Sequence, residues 1–453
     1  MIDNEHWSWR TIFYHLFPLG CLGAPARNDF DAPCVDRIST LREWINHFEH
    51  LGINALLLGP VFESSSHGYD TADLFKVDRR LGNDDALGNF SRDLHRRGIR
   101  LVLDAVFHHT GRDFWAFRDV RERGRESQYC DWFHLDFSRR SPYGEPFHYK
   151  GWAGNYDLVK LNLKSAAVRK HLLDAVSSWV ERFEIDGLRL DVADGLDADF
   201  IHELSEYCRR IKPAFWLMGE VVHGDYRNWA HPGALASTTN YEAYKGLWSS
   251  LNDRNYFEIA YSLNREFGPE GMYRGIPLYN FVDNHDVTRA ASILREPTLL
   301  YPLYALLMTM PGVPSIYYGS EFGIEGRKQH GTDASLRPAL DIRALSHHAP
   351  HPELCAAVKK LIALRHQLRA LQVGDYAELH VAPEQFAFIR RFHSESIVIA
   401  LNASAHTAQI PLRLPGGFSH LVDKLNNDEK FNGAGTRRLL PVPPRWARIL
   451  IAN

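Results

Sequence analysis

Apolar residues recur along the chain in short runs, each followed by an amphipathic stretch. The runs "TIFYHLFP" (11–18), "ALLLGPVF" (55–62), "RLVLDAVF" (100–107), "GLRLDVA" (187–193) and "FWLMGEVV" (215–222) read as strands, with weaker ones at "LASTTNY" (235–241), "LYNFVDN" (278–284) and "VPSIYYG" (313–319). Between them "STLREWINHFEHLG" (39–52), "DALGNFSRDLHRRG" (85–98) and "SAAVRKHLLDAVSSWVERF" (165–183) carry helical periodicity. Ser39 and Ser165 stand where N-caps belong, and Gly52 and Gly98 where helices end. Eight strands alternating with helices predict an α/β fold, a (β/α)8 TIM barrel. The alternative, an open doubly wound sheet, would carry a phosphate-binding glycine turn after its first strand, and "FPLGCLGAP" is not G-x-G-x-x-G.

Two regions break the rhythm. Residues 110–160 follow the third strand and are rich in aromatics, which predicts a small insertion subdomain. From about residue 376 the pattern becomes alternation without helices ("FAFIRRF", "SIVIALN", "RWARILIA"), predicting a C-terminal antiparallel β-sandwich domain. The expected organisation is a catalytic barrel over 1–109 and 161–375, an insertion over 110–160 and a β domain over 376–453.

Composition narrows the function. A formal net charge of −3 over 453 residues gives no electrostatic footprint for nucleic acid. There is no apolar run long enough to span a membrane and no secretory leader pattern. Five scattered cysteines, none in C-x-x-C spacing, suggest reduced thiols and a cytoplasmic location. The 12% aromatic content, with 11 tryptophans, suits either a large core or a site that stacks on sugar rings.

The candidate chemistry lies at the ends of the strands, where a barrel builds its sites. The third ends in "DAVFHH" (Asp104, His108, His109), the fourth presents Arg189 and Asp191, the fifth ends at Glu220, and the seventh ends "FVDNHD" (Asp283, His285, Asp286). His108 and His109 are expected on opposite faces of their strand. Arg189 and Asp191, two apart on one face, are expected to form a pair that keeps Asp191 ionised, whereas Glu220 must keep a proton to serve as an acid. Three carboxylates converging with an arginine, without a cysteine nucleophile or a phosphate loop, fit glycoside hydrolysis.

In order and position these segments resemble the four signatures of glycoside hydrolase family 13, the α-amylase family, with "HGYD" (67–70) and "SIYYGSE" (315–321) as further matches. The resemblance covers essentially the whole chain. It implies Asp191 as nucleophile, Glu220 as general acid/base and Asp286 as transition-state stabiliser. It also implies that Tyr69, His109, Arg189 and His285 line the sugar subsite, and that Asp70 pairs with Arg337 on a terminal glucose. Lys160, in "LVKLN", resembles the neopullulanase–cyclomaltodextrinase–maltogenic amylase branch. Trp152 and Tyr156, just before it, are candidate sugar platforms.

That branch commonly adds an N-terminal β domain used in dimerisation. The first barrel strand here is expected near residue 10, so that domain is expected to be absent and a homodimer stays open. His108 replaces the asparagine that ligates calcium in the family, so no metal or other cofactor is expected. Gly195 is expected to open space on the acceptor side. The implied activity is retaining hydrolysis of α-1,4, and perhaps α-1,6, bonds in short linear or cyclic maltooligosaccharides. The alternatives are an exo-acting α-glucosidase, a transglycosylase, or a non-catalytic transporter-associated subunit, which would have lost these carboxylates.

Overall fold

The computed structural model describes residues 5–414, 418–432 and 437–452. Eight parallel strands form its centre: β1 (Phe13–Leu16), β2 (Ala55–Leu58), β3 (Arg100–Ala105), β4 (Gly187–Leu190), β5 (Trp216–Gly219), β6 (Ser237–Thr238), β7 (Tyr279–Phe281) and β8 (Val313–Tyr317). They run β6-β5-β4-β3-β2-β1-β8-β7, and a Thr239–Tyr279 bridge joins the two ends into a barrel.

Each strand sits inside its apolar run but is shorter. The run 55–62 is two strands, because Gly59-Pro60 breaks it and Phe62–Ser64 turns back to pair with Thr71–Val77. Helices cover the outside at Arg42–Leu51, Asp84–Arg96 and Ala166–Phe183, among others. Gly52 ends the first of these at φ +92°, a conformation that favours glycine. The Ser39 cap fails, and Ser165 holds the N-cap position of Ala166–Phe183 without a side-chain capping bond. Ser39 lies inside the tight turn Ile38–Leu41 and donates to Asp36, and Ser165 turns its hydroxyl to Asp131 Oδ2 at 2.9 Å.

The period-2 alternation separates two cores. Leu56, Leu58, Leu101, Leu103, Leu188 and Leu190 face the helices. Phe13, Leu57, Val102, Trp216, Met218 and Phe281 fill the lower barrel interior, where Phe13 stacks on Trp216 with centroids 4.9 Å apart. One step further along the same inward rows come Asp104, Arg189, Asp191 and Glu220. The barrel is therefore dry and apolar below and charged at its carboxyl end.

Beyond β3, His109–Gly111, Asn155–Lys160 and Gly151–Trp152 form a small antiparallel sheet. Behind it Phe117 packs edge-on against Phe133 and Tyr149. The C-terminal region is an antiparallel sheet in the order Asp375–Ala382, Gln385–Phe392, Glu395–Asn402, Trp446–Ala452, His420–Asp423, Glu429–Asn432. One face packs against the ribbon Ala408–Arg413/Arg437–Val442, and the other joins the barrel's helical core. Buried Arg390 crosses this junction to the Thr309 carbonyl at 2.7 Å. Among the described residues no helix is long and apolar enough to cross a membrane.

Candidate active site

Register brings the charged groups together. Arg189 on β4 lies opposite Asp104 on β3, and Leu190 lies opposite Gly219 on β5, so Asp191 and Glu220 follow at the same level on neighbouring strands. The buried Arg189 guanidinium makes its shortest contacts with Asp104, from Nη1 to both carboxylate oxygens at 2.6 and 2.8 Å. Its Nη2 is 2.9 Å from Glu220 Oε1, and Asp191 Oδ1 is the most distant partner at 3.4 Å. The expectation that Arg189 chiefly serves Asp191 is corrected: it is a hub for three carboxylates, anchored on Asp104. Burial, then the charge of Glu220, push the Asp191 carboxyl well above its ordinary value, and Arg189 only partly offsets them.

After Asp191 the chain turns sharply. Val192 adopts φ +48° and ψ +47°, a strained conformation for a β-branched residue, and its N–H points at Glu220 Oε2 at 3.3 Å. The backbone thus places a donor beside Glu220.

Asp286 stands across the site. His285 Nε2 is 2.9 Å from its Oδ2 and Arg337 Nη2 is 3.0 Å from its Oδ1. Burial alone would raise this carboxyl, but His285, Arg337 and Arg189 hold it well below the usual range. Tyr69 donates to Asp104 Oδ2 at 2.9 Å, contacts His285 Nε2, and stacks on the His285 ring. Phe17 lies nearly parallel to both rings, 5.7 Å from His285 and 6.4 Å from Tyr69, and sits under Arg337. Asp283, from the same motif, turns away to accept from the Ala290 N–H and Ser320.

His109 Nε2 is buried without a hydrogen-bond partner, 3.9 Å from Asp191 Oδ2. The two histidines do not point apart. Strand β3 ends at Ala105, and the turn beyond it brings His108 Nδ1 to 3.2 Å from His109 Nδ1. Burial lowers His109 to about 3 and His108 to about 4, with His108 assisting in the first and Lys160 in the second, so both rings are neutral at pH 7. Gly195 does not open space: a Cβ there would meet the His108 ring at 3.0 Å, so the imidazole already fills it. A neutral, buried imidazole engaged with its neighbour does not fit a hard oxygen-seeking cation.

Trp152 is 38% exposed, with its ring 6.1 Å from that of His109, at the mouth of the site. Tyr156 instead packs edge-on against Tyr149 and hydrogen-bonds His148 at 3.0 Å within the insertion. Lys160 lies opposite His109 in the small sheet. Asp70 makes no ion pair with Arg337: it accepts from Ser66 at 2.6 Å, while Arg337 takes Asp286 and Asp333.

Sequence reasoning named Asp104 without giving it a role and passed over three other contributors. Asp104 was visible in its motif as an inward strand residue. Asp333 and Lys328, which donates to the Asp286 carbonyl at 2.7 Å, sit in an irregular loop with no periodic signal. Tyr241, hydrogen-bonded to Asn284 at 3.2 Å, is close enough for the charges of Glu220 and Asp286 to raise its pKa further above the value burial gives it.

Comparison with known proteins places this arrangement. Residues 38–341 match the family model described as alpha amylase, catalytic domain. A cyclomaltodextrinase from Geobacillus thermopakistaniensis is 31% identical over 466 aligned positions, spanning 98% of this chain and 77% of that protein. A solved cyclomaltodextrinase superposes with a TM-score of 0.86 at 26% identity, covering 99% of this chain and 78% of its own. The debranching enzyme from Nostoc punctiforme does so with a TM-score of 0.82 at 27% identity, over the full length of both chains.

Proposed function

The chain belongs to the α-amylase family of glycoside hydrolases, and from that membership and the geometry of its carboxylates we propose a retaining hydrolase of short linear or cyclic maltooligosaccharides. The observation that carries the stereochemistry is the register of Asp191 and Glu220. Adjacent strands lie about 4.8 Å apart, and two inward carboxylates at one level match the spacing of about 5–5.5 Å used for retention rather than the about 6.5–9.5 Å used for inversion.

In the proposed reaction an Asp191 oxygen attacks the anomeric carbon as the bond from that carbon to the leaving oxygen breaks. Glu220 gives its proton to that oxygen. The resulting glycosyl ester is then opened by water, whose proton returns to Glu220, and the Asp191 carboxylate leaves with the α configuration restored. Asp286, held anionic by His285 and Arg337, faces the positive charge that develops at the anomeric carbon. The proposed roles require the proton on Glu220 and the charge on Asp191 when substrate is bound, against the burial and the Glu220 charge that raise the Asp191 carboxyl in the free site.

The names of the relatives support cyclic and branched glucans, and so α-1,4 with α-1,6 bonds, as substrates. Asp70 and Arg337 form no ion pair with each other, and Arg337 instead holds Asp286 within the site. Calcium at His108 is left out of the proposal, because the donor offered there is a neutral imidazole. Proton NMR of the first product released from maltotriose and from a cyclodextrin tests the reading. The α anomer is expected first, and initial release of the β anomer overturns it.

A further inference from the structure

The proposed acid, Glu220, protonates the oxygen that leaves with the rest of the sugar chain, so that chain departs on the Glu220 side. The backbone just past Glu220 leads into an open groove of about 770 Å³, lined by Val222, His223, Tyr241, Lys245, Phe257 and Tyr261 among others. Two helices form its walls, Tyr241–Asn252 and Phe257–Phe267. Tyr241 is the shared wall: it meets the charges of Glu220 and Asp286 on one side and lines the groove on the other.

The surface chemistry of the groove is unusual for a solvated helix pair. Tyr261 is 70% exposed and Phe257 49%, and they are four residues apart, so they share one helix face. Val222, two residues past Glu220, is also exposed. Around these apolar faces stand Glu242, Lys245 and Glu258, with Lys245 paired to Glu258 and Glu242 to Arg265. Flat aromatic faces rimmed by charged hydrogen-bonding groups match the two sides of a glucose unit, whose ring faces are apolar and whose edge carries hydroxyls.

We propose that this groove binds the leaving-side glucose units of a maltooligosaccharide, with Phe257 and Tyr261 as their platform. The inference rests on the assignment of Glu220 as the acid, because that assignment says which half of the chain passes the groove. It makes the enzyme sensitive to the length of its substrate on the reducing-end side.

The test is equilibrium binding of maltoheptaose to intact E220Q protein, with and without the added pair F257A/Y261A. Both aromatic side chains are surface-exposed, so their truncation leaves the fold in place. The dissociation constant for maltoheptaose is expected to weaken about ten-fold, while that for maltose changes less than two-fold. In the enzyme with Glu220 intact, the same pair should lower kcat/KM on maltoheptaose about ten-fold and leave an aryl α-maltoside within two-fold. Unchanged maltoheptaose binding, or equal losses for both ligands, overturns the groove. So does a dimer that falls to monomer in F257A/Y261A by light scattering with sugar binding intact, since the face then belongs to a second copy of the chain. Failure of the retaining reading shows separately, as the wrong product anomer or no glucan hydrolysis at all, and leaves the binding measurement to decide the groove.

Discussion

Arg189 is bound at both oxygens of Asp104, at 2.6 and 2.8 Å, and reaches Asp191 only at 3.4 Å. The guanidinium at the centre of the site is thus fixed chiefly by the carboxylate opposite it on the neighbouring strand. Asp104 also accepts from Tyr69, so one side chain sets the position of the arginine and of the aromatic wall.

Replacing Asp104 by Asn keeps the shape and removes the charge that compensates a buried guanidinium. Loss of one partner of a buried pair costs about 3–5 kcal/mol. D104N is therefore expected to unfold at lower denaturant by that order, and to lose about a hundred-fold or more in kcat through misplacement of Arg189. Denaturant titration and kcat on maltotriose check it. Wild-type values of both would show that Arg189 is positioned by something else.

The pH dependence of the first chemical step follows from the Asp191–Glu220 pair. The proposed attack needs Asp191 ionised, and its carboxyl is raised by burial and then by the charge of Glu220. In E220Q that charge is gone, so the pKa of Asp191 falls and ionisation persists to lower pH. With an activated aryl α-glycoside, which needs no acid to leave, the acid limb of kcat/KM is expected to move to lower pH. The alkaline limb should disappear with the lost acid. A pH–rate profile of E220Q with both limbs in their original places would separate Asp191 from Glu220.

Trp152 and Tyr156 are four residues apart, and the structure gives them different jobs. Trp152 is exposed beside His109, whereas Tyr156 is tied to His148 and Tyr149. W152A is expected to raise KM for maltooligosaccharides about three- to ten-fold, the worth of one lost aromatic face, with stability unchanged. Y156A should do the reverse, lowering the melting temperature with little change in KM. Matching KM effects in the two variants would put both rings in the cleft.

Much of the barrel was legible because burial on both sides leaves each strand a plain apolar run. Inward alternation likewise placed Asp191 and Glu220 at the site. Contacts made by chain that leaves the strands were not legible. His108 and His109 would take opposite faces if the strand continued through them, but it ends at Ala105 and the turn brings one ring against the other. Gly195 looks like open space in the sequence, which cannot show that a residue 87 positions earlier fills it. The partners of Arg337 lie in a loop and at a strand end that no periodicity connects.

Glu266 gives a stability test that involves none of the proposed reacting carboxylates. It is fully buried on the helix Phe257–Phe267, where Oε2 accepts from Asn240 Nδ2 at 2.8 Å and Oε1 has no partner. Burial raises its carboxyl to about 8. In the unfolded chain the same group titrates near about 4.3. Below that pH both states hold the proton and the group is neutral to stability. Between about 4.3 and 8 the unfolded chain sheds the proton while the folded protein keeps it, so stability falls as pH rises, by several kcal/mol in total at about 1.4 kcal/mol per unit. Above 8 both states are ionised and the deficit stays constant. Gln at this position keeps an acceptor for Asn240 and cannot ionise, so E266Q is expected to lack this component of the decline. Urea midpoints at pH 5, 6, 7 and 8 should diverge, with E266Q gaining steadily on the wild type. Parallel curves for the two proteins would mean that Glu266 is already ionised in the fold at neutral pH.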